Sequence, residues 1–176
     1  MEELKYPIGK FQKPEAFTPQ LLSSYISVIN HFPQKLKQEV EHLTDEQLDT
    51  PYRPDGWTVR QVVNHCADSH ANALVRVKLA LTENTPTITA YMQDLWAELP
   101  DCKNMPIQPA LMMLQGMHSR WTIVLKNLGE KEWDRAYIHP EKGREIKLNE
   151  SAASYAWHCN HHLAHITELK KRMGWK

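Results

Sequence analysis

Apolar residues recur at helical spacing in four long stretches of the chain, and everything else follows from where those stretches begin and end. Leu21, Leu22, Tyr25, Ile26, Val28 and Ile29 form the first apolar face, opened by Thr18 as an N-cap and Pro19 at the first helical position. Pro33 lacks an N–H and is expected to bend or interrupt this helix, which resumes to about Leu43. Thr44-Asp45-Glu46-Gln47 has the form of a capping box and opens a short turn of helix ending before Pro51. After the loop YRPDGW, Thr58 caps a second long helix, predicted from Val59 to about Thr82.

A third long helix is predicted from about Ala110 to Asn127, closed by Gly129, with Leu111, Leu114, Met117, Trp121, Val124 and Leu125 on its apolar face. The link before it is long for a helical hairpin, carries Pro100, Pro106 and Pro109, and has room for a short helix around Ala90 to Glu98. Such a link allows a crossover in which the second and third helices run parallel. Tyr137-Ile138-His139, the turn PEKGR and Glu145 to Leu148 predict a small β-hairpin. Asn149 then caps a last helix running to about Met173, before Gly174. The first 17 residues, with Pro7, Gly9 and Pro14, are expected to lie extended over the body. The expected architecture is all-α: a four-helix bundle forming one domain over residues 1–176.

Composition narrows the function classes. Lysine plus arginine balance aspartate plus glutamate at 21 each, with no basic cluster, which disfavours nucleic acid as a partner. No stretch is apolar enough to cross a membrane, and the N-terminus lacks the layout of a signal peptide. Cys66, Cys102 and Cys159 are odd in number and scattered, as expected of a cytoplasmic protein without a disulfide framework.

Histidine changes the picture. WHCNHHLAHI, residues 157–166, places four histidines on the last helix. At about 100° per residue, His158 with His162 and His161 with His165 are each one turn apart, so either pair can face a single ion. A catalytic metal needs a third protein ligand and an open position. The second helix carries a polar seam of Thr58, Gln61, His65, Asp68 or Ser69, Asn72 and Arg76, which faces either solvent or a cavity between helices. His70 sits among apolar neighbours and reads as a core or edge histidine. Cys66 and Cys159 point about 100° away from the adjacent histidines and read as packing residues.

The stretches PYRPDGW, GWTVRQVVNHCADSH, VKLALTEN, WAELPD, MHSRW, IHPEKG and YAWHCNHHLAHI together resemble the DinB-like superfamily, and within it the YfiT group of candidate metal-dependent hydrolases. The resemblance spans nearly the whole chain. It implies a four-helix bundle of unusual topology, a homodimer, and one divalent metal per chain, zinc or nickel. The ligands it implies fall on His65, His158 and His162, leaving His161 and His165 as second-shell or pocket-rim residues.

Three neutral imidazoles and an open position suit the activation of water for hydrolysis of a small-molecule substrate. The helix lacks an HExxH glutamate, so a proton acceptor must come from elsewhere; Asp68, Glu98 and His161 are candidates. Asn72, Arg76, His118 and Arg120 are candidates for holding a polar or anionic substrate. The same open metal suits activation of a low-molecular-weight thiol of the bacillithiol type for S-transfer. A non-catalytic metal-binding role is the third reading, disfavoured because structural zinc is usually closed by four protein ligands.

Overall fold

Threonine side chains start three of the helices by the same chemistry. Thr18 Oγ1 accepts from the backbone N–H of Leu21 at 3.2 Å. Thr44 and Thr58 each make a full capping box, with Gln47 and Gln61 reaching back to the threonine N–H at 2.9 Å. The computed structural model describes residues 2–175. In chain order the elements are α1 (Glu2–Lys5), α2 (Pro19–Val40), α3 (Asp45–Leu48), α4 (Val59–Thr82), α5 (Gln93–Trp96), α6 (Pro100–Asn104), α7 (Gln108–Lys126), α8 (Glu130–Trp133), β1 (Ala136–His139), β2 (Arg144–Lys147) and α9 (Leu148–Met173).

The four long helices close a ring. α2 packs on α7 and α9, and α4 packs on the same two from the opposite side. Ile29, Leu36 and Val40 of α2 meet Val59 and Val62 of α4, Leu114 and Trp121 of α7, and Leu148 and Ile166 of α9 in one apolar core, each 0% exposed. Arg60 reaches the carbonyl of Met105 at 3.0 Å, and His70 meets His118 at 2.8 Å. Partners thus advance together along α4 and α7, which run parallel as a crossover allows. α9 runs antiparallel to α4, since His65 faces His158 while Arg76, further along, faces Tyr155.

The all-α bundle with a small antiparallel hairpin is as expected, the hairpin pairing Tyr137 with Ile146 and His139 with Arg144. Several details differ. α2 is not interrupted at Pro33: it continues through the proline to Val40. α1 is a short helix where only extended chain is expected, and α6 begins at Pro100, where proline suits the first helical turn. Asn127 rather than Gly129 ends α7; Gly129 is not in the left-handed region, and its N–H is capped by Glu132 at the start of α8. α9 begins one residue before Asn149, whose side chain instead accepts from the N–H of Glu150. Gly174 does close α9, at φ 67°. Among the described residues no helix is long and apolar enough to cross a membrane.

Truncating the fully buried Leu36 to alanine should cost about 2–5 kcal/mol, and Thr58→Ala about 1 kcal/mol, in urea-unfolding free energy. A cost for Leu36→Ala no larger than that of the cap would contradict the core placement.

Candidate metal centre

A proline inside a helix leaves one carbonyl without its usual partner, because residue i has no N–H to give to residue i−4. For Pro33 that carbonyl is Ile29 O, which accepts instead from Nδ1 of His118 on α7 at 2.6 Å. A carbonyl can only accept, so His118 carries its proton on Nδ1 and Nε2 is left as the acceptor. His70 Nδ1 lies 2.8 Å from that nitrogen and must donate to it. His70 Nε2 therefore accepts, and its partner 3.0 Å away is His158 Nδ1, which donates. The chain of hydrogen bonds ends with His158 neutral and the lone pair of its Nε2 free, as a metal ligand requires.

That lone pair points into a cluster. His158 Nε2 is 3.2 Å from His65 Nε2 on α4. Two nitrogens bound at 2.0–2.1 Å to one tetrahedral ion lie about 3.3 Å apart, so the spacing matches a shared cation. Ligand nitrogens of His65, His158 and His162 all lie within 4.8 Å of one another. A second group, His161, His162 and His165, meets the same distance condition and shares His162. His165 is partly committed elsewhere: its Nε2 donates to the Lys5 carbonyl at 3.1 Å and its ring stacks on Tyr52 at 3.9 Å. His161 is stacked on Trp157 at 4.4 Å. Buried Nδ1 atoms of His161, His162 and His165 lack a protein partner.

The walls come from two segments. Residues 50–59 form a tight turn-back in which Tyr52 N–H donates to the Trp57 carbonyl at 3.0 Å, presenting both aromatic rings to the histidines. Gly56 lets this happen, since an added Cβ would lie 2.6 Å from Arg53 Cγ. The N-terminal segment lies over the other side, held by Trp157 Nε1 donating to the Gly9 carbonyl at 3.1 Å. Together they enclose a cavity of about 570 Å³ lined by His65, His158, His161, His162 and His165.

Burial sets the electrostatics. Desolvation is the main cause that pushes His65, His118, His161 and His165 down to about 4, with neighbouring histidines adding to it at His65 and His161. His70, His158 and His162 are held well below the ordinary histidine range, again by burial first. All therefore stay neutral near pH 7, the form that binds a metal. Cys66 and Cys159 are fully buried free thiols pushed up by burial, in keeping with a packing role.

The polar seam of α4 turns inward: Gln61, His65, Ser69 and Arg76 are buried. Other candidates fall away from the metal cluster. Asn72 spends its amide on the Asp68 carbonyl of its own helix at 2.9 Å. Asp68 sits beside Cys102, Glu98 is paired with Lys103, and Arg120 is exposed. Burial raises the Asp68 carboxyl, with the neighbouring Asp101 adding to the shift. His118 is in the hydrogen-bonded chain and does not line the cavity beside the cluster. His70, which reads from the sequence as a core or edge histidine, bonds to His158; its i+5 offset from His65 hides that both meet that residue.

A family model described as the DinB superfamily matches residues 30–166. YfiT of Bacillus subtilis, named as a candidate metal-dependent hydrolase, is 48% identical over 172 residues, covering 98% of this chain and 97% of its own length. A Bacillus thuringiensis relative with the same kind of name is 46% identical over 175 residues, or 99% of this chain and all of its own. The solved structure of YfiT superposes with a TM-score of 0.96 at 47% identity, covering 99% of both chains. It is described as a probable metal-dependent hydrolase with an unusual four-helix bundle topology.

His70→Phe and His118→Phe should each weaken zinc binding about 10–100-fold in competition with a chromophoric chelator. Unchanged affinity in both would remove the hydrogen-bonded chain from the site. In the metal-free protein, unfolded histidines take up protons near 6.5 while His65 and His118 resist until about 4. The unfolded state binds more protons across that window, so the melting temperature should be highest above pH 6.5 and fall as pH drops toward 4. A flat profile there would contradict neutral burial.

Proposed function

The chain belongs to the DinB superfamily, and on that premise we propose that it is a metal-dependent hydrolase in which His65, His158 and His162 hold one zinc or nickel ion. The observation that carries this reading is the convergence of three neutral histidine nitrogens from two helices, one of them oriented by His70 and His118, at the wall of an open cavity. Held by His65, His158 and His162, a divalent ion would supply Lewis-acid activation of water, and so a nucleophile at neutral pH.

The chain's own residues do the rest. His158 is kept in one tautomer by His70, so its ring does not reorient between turnovers. Tyr52, Trp57 and Trp157 shield the cluster from bulk water and narrow its approach. His161 and His165 stand beside His162, with ring centroids 5.0 and 5.3 Å from it. His161, whose buried Nδ1 has no protein partner, stands beside the cluster as a proton acceptor for the nucleophile, weakened as a base by the burial that holds it at about 4. The substrate we propose is a small molecule, a class that cavities of this size suit. We also propose a homodimer, for which the exposed Met112, Met113 and Ile123 of α7 offer apolar surface, and a cytoplasmic location, which suits three free cysteines.

Two measurements test the reading. His65→Ala, His158→Ala and His162→Ala should each abolish stoichiometric metal content, whereas His161→Ala and His165→Ala should retain it; equal loss in the second pair would overturn the ligand assignment. Chelation should abolish turnover across a panel of activated esters and amides, and zinc or nickel should restore it. Turnover that appears only when a low-molecular-weight thiol is added would replace hydrolysis with S-transfer.

A further inference from the structure

Two arginines on α4 are both buried and are treated in opposite ways. Arg60, 4% exposed, is matched by two carboxylates: Nε donates to Asp49 at 2.6 Å and Nη2 to Asp45 at 2.8 Å. Arg76, 8% exposed, has none. Its Nη1 donates to the Tyr155 hydroxyl and its Nη2 to the Thr89 carbonyl, both at a long 3.3 Å, while its Nε is buried without any partner. A guanidinium keeps its charge and carries five N–H donors, so most of this one's bonding capacity is unused. Burying a cation without a counter-ion is costly, and a fold retains such a group where something else supplies the charge.

The charge has a place to come from. Arg76 lines a cavity of about 580 Å³ on the hairpin side of α4, the size range of small-molecule sites. The cavity reaches His158, and so adjoins the metal cluster; Gln93, Asp94 and His158 line both spaces. Tyr155, which accepts from Arg76, has its ring 5.7 Å from that of His158, so a single tyrosine separates cation from ligand. Other groups facing the cavity do not neutralise Arg76. Glu150 is already taken by Arg144 and Lys13, at 2.5 and 2.9 Å. Asp94 and Glu141 are exposed at its rim, and among the described residues neither forms an ion pair with Arg76. Lys142 and His139 also line the cavity. Burial pushes the Tyr91 and Tyr137 phenols up to about 12, so both remain O–H donors.

We infer that this second cavity is the substrate's chamber and that the substrate carries a compact oxyanion, a carboxylate or a phosphate group, bound by Arg76 with its reacting bond directed toward His158. This names the substrate class of the metal-dependent reading above and rests on it. Arg76 is then a specificity determinant: neutral molecules of the same shape leave the guanidinium unmatched.

The test is calorimetric titration of inorganic phosphate and of acetate, at constant ionic strength, into zinc-loaded protein, its Arg76→Met and Arg76→Lys variants, and His65→Ala. Wild type and His65→Ala should bind one anion with similar affinity, Arg76→Met should lose at least about tenfold, and Arg76→Lys should fall between. A preference for phosphate or for acetate identifies which oxyanion the chamber suits, and either supports the assignment. No binding by wild type overturns it, as does binding that survives Arg76→Met and vanishes in His65→Ala, which would put the anion on the metal. Melting separates a structural role: Arg76→Met should melt no lower than wild type, because it removes an unmatched buried charge, and a clear drop would make Arg76 a strut and overturn the proposal. These titrations remain readable if no ester is hydrolysed, an outcome that would sink the hydrolase alone. Where a matched pair of charged and neutral esters does turn over, Arg76→Met should raise KM for the charged member only; equal KM values in wild type would overturn the assignment.

Discussion

The carbonyl of Ile29 is the anchor on which the site depends. Pro33 frees it from the helical ladder, and His118 takes it. From that one acceptor the proton positions of three histidines follow in order, because each ring nitrogen that accepts forces its partner to donate. The chain crosses the bundle from α2 through α7 and α4 to α9, so one element from each corner contributes a member. The same bonds that orient His158 therefore also hold the four helices in register. Histidine cluster and core are one construction, and a shift of any helix would be felt at the His158 imidazole.

Polarity in the interior is arranged by matching. His70, His118 and His158 are neutral and hydrogen-bonded to one another, which removes the cost of burying charge there. Arg60 is charged and doubly paired, tying α3 to the start of α4 and, through Met105, to the approach to α7. Arg76 breaks the pattern, and it does so beside the site. An interior that satisfies its other guanidinium so fully leaves this one open next to the catalytic candidate, which is where unfulfilled polar groups serve binding.

The aromatic walls add the second constraint. Tyr52 and Trp57 come from a tight turn and Trp157 from α9 itself, yet all three pack on histidines. They pack against the histidines while leaving a cavity beside them.

Local chemistry made much of this legible. Apolar spacing and threonine caps placed α4 within its observed limits and α7 and α9 within two residues of theirs, because caps and periodic faces act over one or two turns. The one-turn spacing of His158 with His162 follows from helical geometry alone. Pro33 does not interrupt α2, since tertiary packing carries the helix through the proline and gives its orphaned carbonyl another donor. The inward turn of the polar seam, the pairing of His65 with His158, the link through His70 and the isolation of Arg76 lie beyond any local pattern. They join residues 48 to 93 positions apart, or turn on the absence of a partner, and only packing decides which distant groups meet and which charge is left unmatched. By itself the sequence determined the helices and the stock of ligands, because those depend on neighbours along the chain. The tertiary structure decided which nitrogens face one point, in which tautomer, and beside which uncompensated cation, because those depend on neighbours across the bundle.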